Sequence, residues 1–340
     1  MHPLIRRSAS HFIGFAALAL LATPASAQSA REFYNGKQQM NIIVGSTPGG
    51  GYDSYSRAIA RHMPAHMAGN PTFVVRNMPG AGSLTAVMYL DATAPKDGTH
   101  MTAFNSGLFN DSMAPGAKAK FTDYAFLGSA TRDFRACYAW GATKIATWDD
   151  LVKRQQVVFG GTGPNSNSYN GGAMIKNIFG MPMKIISAYP GNAEMFLAVE
   201  RGEIDGSCIS FTSIPDNWIN EKKINFLVKL GKSNPEGIPS SVPFIGDVAK
   251  TQEQKEIIDV LLAPGELGRP YIMSKTVPAD RVEYMRTVFK ATMADPAFIA
   301  DAEKQGLTVD PIIGDEAQQM VAKLYTYSPD VVAKAQNALK

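Results

Sequence analysis

The sequence predicts an α/β protein of two domains, each a mostly parallel sheet flanked by helices. Three observations carry this. Short β-rich runs alternate with helical periodicities along most of the chain. The strand-to-helix junctions are rich in Gly, Ser, Asn and Thr. About 313 residues (340 minus a 27-residue leader) exceed what one core usually serves.

In order, NIIVG (41–45) reads as a strand and Tyr52 to Met67 as a helix, with Tyr55, Ile59, Met63 and Met67 on its inner face. TFVVR (72–76) is the next strand, followed by a helix from Leu84 to Leu90 and the run THMTAF (99–104). Tyr124 to Cys137 reads as a connecting strand region, and TWDDLVKR (147–154) as a short helix capped by Thr147. QVVFGG (156–161) is a strand, AMIKNIFG a helix, MKIISAY (183–189) a strand, and AEMFLAVERG (193–202) a helix ending at glycine. EIDGSCIS (203–210) and INFLVKL (224–230) close the series, and the Pro/Gly/Ser-rich stretch 231–244 is the best boundary in the second half. Beyond it lie two strongly periodic helices and a last one near the C-terminus.

The N-terminus carries Arg6 and Arg7, an apolar run from Phe12 to Leu21, and Ala25-Ser26-Ala27, the pattern of a secretion signal cleaved after Ala27. The mature chain is then expected to be soluble and periplasmic. Removing that segment takes two arginines and no acids, so the net charge falls from +3 to +1. Near-neutrality argues against nucleic acid or an anionic membrane surface as the main partner. Cys137 and Cys208 permit one disulfide in an oxidising compartment, or stand as two separate buried thiols.

Enzymatic readings find little support. GxxxxGK[ST], GxGxxG and GxSxG are all absent. His62 and His66 have metal-like spacing, but Pro64 lies between them, so they read as exposed residues at a fraying helix end. No metal, cofactor or catalytic residue is expected.

The glycine junctions point elsewhere. STPGGGYD, NMPGAGS, FNSG, GTGPNSNS and AYPGN form a series. In open parallel sheets ligands sit beyond the carboxyl ends of strands, where helix N-termini offer N–H donors to a carboxylate or phosphate. Asp53, placed to cap its helix and pair with Arg57 at i,i+4, reads chiefly as an organiser of the first loop.

The motifs in order carry a resemblance: Pro48-Gly49-Gly50…Asp53…Arg57, Asn77-Met78-Pro79-Gly80-Ala81-Gly82, Pro95-Lys96-Asp97-Gly98-Thr99, Gly161-Thr162-Gly163-Pro164-Asn165-Ser166, Tyr189-Pro190-Gly191 and Gly202-Glu203-Ile204-Asp205, with a tail that also fits. Across essentially the whole mature chain the sequence resembles the Bug-type solute-binding proteins of tripartite tricarboxylate transporters. The resemblance implies a two-lobed, hinged Venus-flytrap fold, with lobe 1 formed by 28–137 and 262–340 and lobe 2 by 138–261. It implies a monomeric receptor that closes on a small organic carboxylate and passes it to membrane permease subunits. The carboxylate would lie against the loop of Thr47, Pro48, Gly49, Gly50 and Gly51 with Asp53 behind it, and against Gly163, Ser166 and Asn167. Asn105, Ser106, Tyr189, Gly191, Asn192 and Asp205 carry over as ligand neighbours. Where the family often has an aromatic residue, a proline and a lysine, this chain has Ser46, Ala188 and Pro190, so the distal half of the ligand is expected to differ. Tyr52, Phe109 and Phe211 are candidates for an apolar wall, with core packing the competing role. A neutral or amino-acid solute on the same scaffold, or a secreted enzyme, are the rival readings.

Overall fold

The computed structural model describes residues 29–232 and 235–340; the expected secretion signal lies outside them. The chain first lays down β1 (Gln39–Val44), β2 (Thr72–Asn77), β3 (His100–Ala103) and β4 (Tyr124–Ser129). It then crosses to a second sheet of β5 (Arg135–Trp140), β6 (Val157–Gly160), β7 (Met183–Ile186), β8 (Gly206–Ser210) and β9 (Ile224–Lys229). It returns as β10 (Pro270–Ser274) and β11 (Ile312–Ile313). Among the described residues the sheets have six and five strands, ordered β11-β4-β10-β3-β1-β2 and β7-β6-β8-β5-β9.

Both sheets are mixed. β1 pairs in parallel with β2 and β3, and β6 with β7 and β8. The reversed partners are β10, between β3 and β4, and β5, between β8 and β9, with short β11 also antiparallel to β4. The reason is topological: β5 and β10 are the first strands laid down after each change of lobe. A strand entering from the other lobe arrives against the direction set by the βα units.

Burial follows this frame. Central β1, between two neighbours, is buried from its second residue onward, whereas edge strand β2 is only partly covered. The helix Gly51–His62 presents Tyr55 and Ile59 to the core, as its period predicts, and a 3₁₀ turn at Met63–His66 carries Met63 inward. Pro64 ends the α-helix there because it lacks the N–H that the ladder needs. His62 and His66 are not at a fraying end: their Nε2 atoms contact Asp301 at 2.9 Å and Asp295 at 3.0 Å, tying this helix to Pro296–Lys304 and its cap.

The lobe boundaries differ from those read off the sequence. Tyr124 to Cys137 is two strands in different sheets, so the first change of lobe falls at 130–134 rather than 137. Residues 231–244 are no boundary: Ile238 and Val242 pack with Trp218 in the second lobe, and Lys229 N–H donates to Pro243 O at 2.8 Å. The helix Gln252–Leu262 also belongs to the second lobe's core, and the return follows it at 263–269. A third passage had no counterpart in the expected division. Helix Gly314–Leu324 packs in the first lobe, but Ala335 and Ala338 at the C-terminal helix Pro329–Asn337 join the second lobe's core beside Gln252–Leu262.

Cys137 and Cys208 face each other in the β5–β8 register and form a disulfide, both fully buried.

Candidate functional site

The carboxyl ends of β1, β3, β6 and β8 bring the glycine junctions to one cleft between the lobes. The cavity there is about 70 Å³, measured as space open to the centre of a water molecule, enough for several waters or a few ligand atoms.

The first loop is built around Asp53. Its buried carboxylate accepts from Gly49 N at 2.9 Å and Arg57 Nε at 2.8 Å through Oδ2, and from Asn77 Nδ2 at 2.8 Å through Oδ1. Asn77 Nδ2 also donates to Ser46 O at 3.0 Å, so one amide ties both ends of the loop. Burial alone would raise the Asp53 pKa, but the bonds from Arg57, Gly49 and Asn77 outweigh it and hold it below the usual carboxylate value. Gly49 sits at φ +81°, a conformation that favours glycine. With its negative charge committed to the loop, Asp53 leaves the first turn of its helix unopposed on the cleft side.

Two helices, one per lobe, begin at this cleft with glycine N-caps and no side-chain capping bond: Gly50 before Gly51–His62, and Gly191 before Asn192–Glu200. Their first-turn N–H groups and positive dipole ends are therefore open to an anion. The lobes approach closely here: a Cβ at Gly191 would come within 1.9 Å of Thr47 Oγ1.

The NMPGAGS loop adds a second backbone feature. Gly80, Ala81, Gly82 and Ser83 all have positive φ, which turns the Ser83 side chain back under β1. Ser83 Oγ donates to Gly45 O at 2.8 Å and accepts from Asn105 N at 2.9 Å, stitching the ends of β1 and β3 together. Across the cleft, Asn105 Oδ1 accepts from Gly107 N at 2.9 Å and from Asn167 N at 3.0 Å. Asn167 in turn donates from Nδ2 to Ser106 Oγ at 3.0 Å and accepts from Arg135 Nη1 at 2.9 Å.

The back wall holds a buried ionic group. Asp133 and Arg135, in and just after the first passage, and Arg269, at the end of the second, have side chains only 2%, 4% and 2% exposed. Their contacts are loose: Arg135 Nε to Asp133 Oδ2 is 3.6 Å and Arg269 Nη1 to Asp133 Oδ1 is 3.8 Å. Burial pushes the Asp133 carboxyl up, against the pull of Arg269 and Arg135. Arg269 Nη2 donates to Ser210 Oγ at 3.1 Å and Ser213 Oγ at 3.3 Å, and the guanidinium lies over the Tyr52 ring, 4.6 Å from its centroid. It stands directly behind Gly51, where a Cβ would come within 2.7 Å of Nη2.

Of the residues expected at the ligand, Thr47, Gly50, Gly51, Asn105, Asn167, Gly191 and Asn192 line the cavity. Pro48, Gly49 and Asp53 shape the first loop from behind, and Ser166 caps the helix Asn167–Phe179 by accepting from Tyr169 N. Ser106 bonds to Asn167, and Gly163 meets Gly82 across the lobes. Tyr189 packs with the second lobe's core. Asp205 lies just before β8, at the opposite end from pocket-lining Ser210, and accepts from Val158 N at 2.7 Å. Phe109 is wholly in the core and Phe211 packs against the second lobe, whereas Tyr52 lines the cavity. Sequence reading missed Arg269, Ser83, Ser210 and Ser213. The one signal for Arg269 was a charge abutting the apolar run Pro270–Met273 that opens β10. Among the described residues no cluster of His, Cys, Asp and Glu could hold a metal ion.

Two sheets joined by crossing segments, with a cleft at their strand ends, define the periplasmic-binding-protein fold. Among solved structures the chain is similar to the periplasmic binding protein BugD, with TM-score 0.71 and 18% identity over 88% of this chain and 97% of that one. It is also similar to MatC from Rhodopseudomonas palustris with bound malate, with TM-score 0.68 and 14% identity over 89% and 99% of the two chains. R. palustris Rpa4515 with adipate gives TM-score 0.67 and 17% identity over 88% and 97%. At such identities the likeness is one of fold. No family model matches the chain, and no curated protein matches it in sequence.

Proposed function

We propose that this chain is a periplasmic solute receptor that closes on a small organic carboxylate and hands it to a tripartite tricarboxylate-type membrane transporter. The observation that carries this reading is the pair of uncapped helix N-termini, at Gly50 and Gly191, which meet from opposite lobes at one cleft. An anion between them is held by both lobes at once, so binding favours the closed arrangement. The carboxylates bound by the similarly folded MatC and Rpa4515 agree with it. Thr47, Gly51, Asn105, Asn167 and Asn192 are the proposed contacts, with Asp53 organising the first loop. Residues 1–27 direct export and are removed, and the mature receptor acts as a monomer without a cofactor.

A thermal-shift screen of the mature protein against mono-, di- and tricarboxylates, aromatic acids and acidic amino acids tests this. A ligand at a hundred times its Kd adds about 2.7 kcal/mol, a shift of several degrees. A screen that stays flat after the protein has been unfolded and refolded, to strip any copurified ligand, overturns the proposal.

A further inference from the structure

Arg269 is the charged side chain that lines the cleft among the described residues, and its surroundings do not balance it. The buried group at the back wall sets two guanidiniums, Arg135 and Arg269, against the single carboxyl of Asp133, with no ion pair closer than 3.6 Å. Among the described residues, Asp133 Oδ2, Arg135 Nε and Arg269 Nε are buried without any hydrogen-bond partner. Uncompensated buried charge of this kind is strongly unfavourable unless a counter-charge is supplied. The positive end of the helix Gly51–His62 adds to the same field, since Arg269 lies directly behind Gly51. Asp53 does not relieve it, because its carboxylate is already engaged by Arg57, Gly49 and Asn77.

We infer that Arg269 is a ligand-binding residue whose charge is balanced by one ionised carboxylate of the solute, seated beside Gly51. The inference rests on the carboxylate reading above and adds to it the counter-ion and the charge count. With Asp133 ionised, the ligand-free cleft carries one excess positive charge at its back wall, and a bound carboxylate makes the site neutral. Arg269 also donates to Ser210 and Ser213 of the second lobe, while β10, the strand that it immediately precedes, belongs to the first. The ligand carboxylate is therefore drawn to the point where the two lobes already share a cation.

The test is calorimetric titration of the mature protein and its variants with acetate, succinate, adipate and benzoate, each against its primary amide. Wild type is expected to bind at least one acid roughly 100-fold tighter than its amide. Arg269→Gln, shown folded by its circular dichroism, should weaken the acid roughly 30-fold or more and change the amide less than about threefold. Asp133→Asn should act in the opposite sense and tighten the acid, which keeps the inference testable if Arg269→Gln fails to fold. Acid binding within about threefold of wild type in Arg269→Gln overturns the role of Arg269 and leaves the carboxylate reading standing, as does unchanged or weaker acid binding in Asp133→Asn. A wild-type protein that binds none of the four acids, or binds amides as well as acids, counts against the carboxylate reading itself and takes this inference with it.

Discussion

Asn105 of the first lobe and Asn167 of the second are joined across the cleft, the Asn167 backbone N–H donating to Asn105 Oδ1 at 3.0 Å. The same oxygen accepts from Gly107 N at 2.9 Å, so one side-chain carbonyl fixes the turn after β3 and latches the lobes.

Replacing that carbonyl separates the two roles. Asn105→Ala strands two N–H groups, of which only that of Asn167 crosses the lobes. The lost cross-lobe bond, worth about 1 kcal/mol, should weaken ligand binding roughly fivefold. Asn105→Asp keeps an acceptor but places a negative charge in the proposed anion site, so it should weaken carboxylate binding more than alanine does. Calorimetric titration of both variants decides; equal losses would mean that charge in the cleft is immaterial.

Gly107 gives a test of closure that leaves the lobes intact. Its φ of −58° suits any residue, but an added Cβ would lie 2.7 Å from Asn165 O and Asn167 N of the other lobe. Gly107→Ala should therefore lower ligand affinity roughly tenfold or more by obstructing closure, with the ligand-free melting temperature nearly unchanged. Small-angle scattering with saturating ligand should show a larger radius of gyration than in wild type.

Acid should loosen the first loop through Asp53. Its folded pKa lies below the unfolded value, because the bonds from Arg57, Gly49 and Asn77 outweigh burial. The stabilisation it provides is thus complete above the ordinary carboxylate range and is lost as pH falls through the lowered folded value. Denaturant midpoints measured below about pH 4 should fall less steeply in Asp53→Asn than in wild type.

The Cys137–Cys208 disulfide closes a chain separation of 71 residues. On the chain-entropy account it contributes about 4 kcal/mol, so Cys137→Ala/Cys208→Ala should unfold at markedly lower urea. Both sulfurs are fully buried, so reductant should act on the native protein only at the rate at which the second lobe opens. Thiol labelling at increasing urea measures this.

What was legible in the sequence is what short range decides. The β1 junction could be read because an apolar run, three glycines and an Asp–Arg pair at i,i+4 sit within one turn of one another. The helix Asn167–Phe179 was expected to begin later, because its first residues are the polar ones that also serve as cap and cleft lining. The break inside Tyr124 to Cys137 was hidden, since two apolar strands in different sheets share one pattern and only tertiary pairing separates them. Arg269 was out of reach for the same reason: its neighbours Tyr52, Asp133 and Ser213 come from distant parts of the chain. Asp205 was carried to the ligand by its motif, but a residue before β8 belongs to the opposite end of the strand from the cleft.

The C-terminal helix seated on the second lobe gives the molecule a tether as well as a pivot. Only residues 325–328 separate Leu324, packed in the first lobe, from Pro329, where the helix on the second begins. The five Cα–Cα steps from Leu324 to Pro329 reach about 17 Å when taut, so the gape of the cleft has a fixed limit unless the last helix lets go. A chain linked only at 130–134 and 263–269 could twist as it bends. A third attachment removes part of that freedom, so any opening of the cleft is held closer to a simple hinge than two crossings alone would allow.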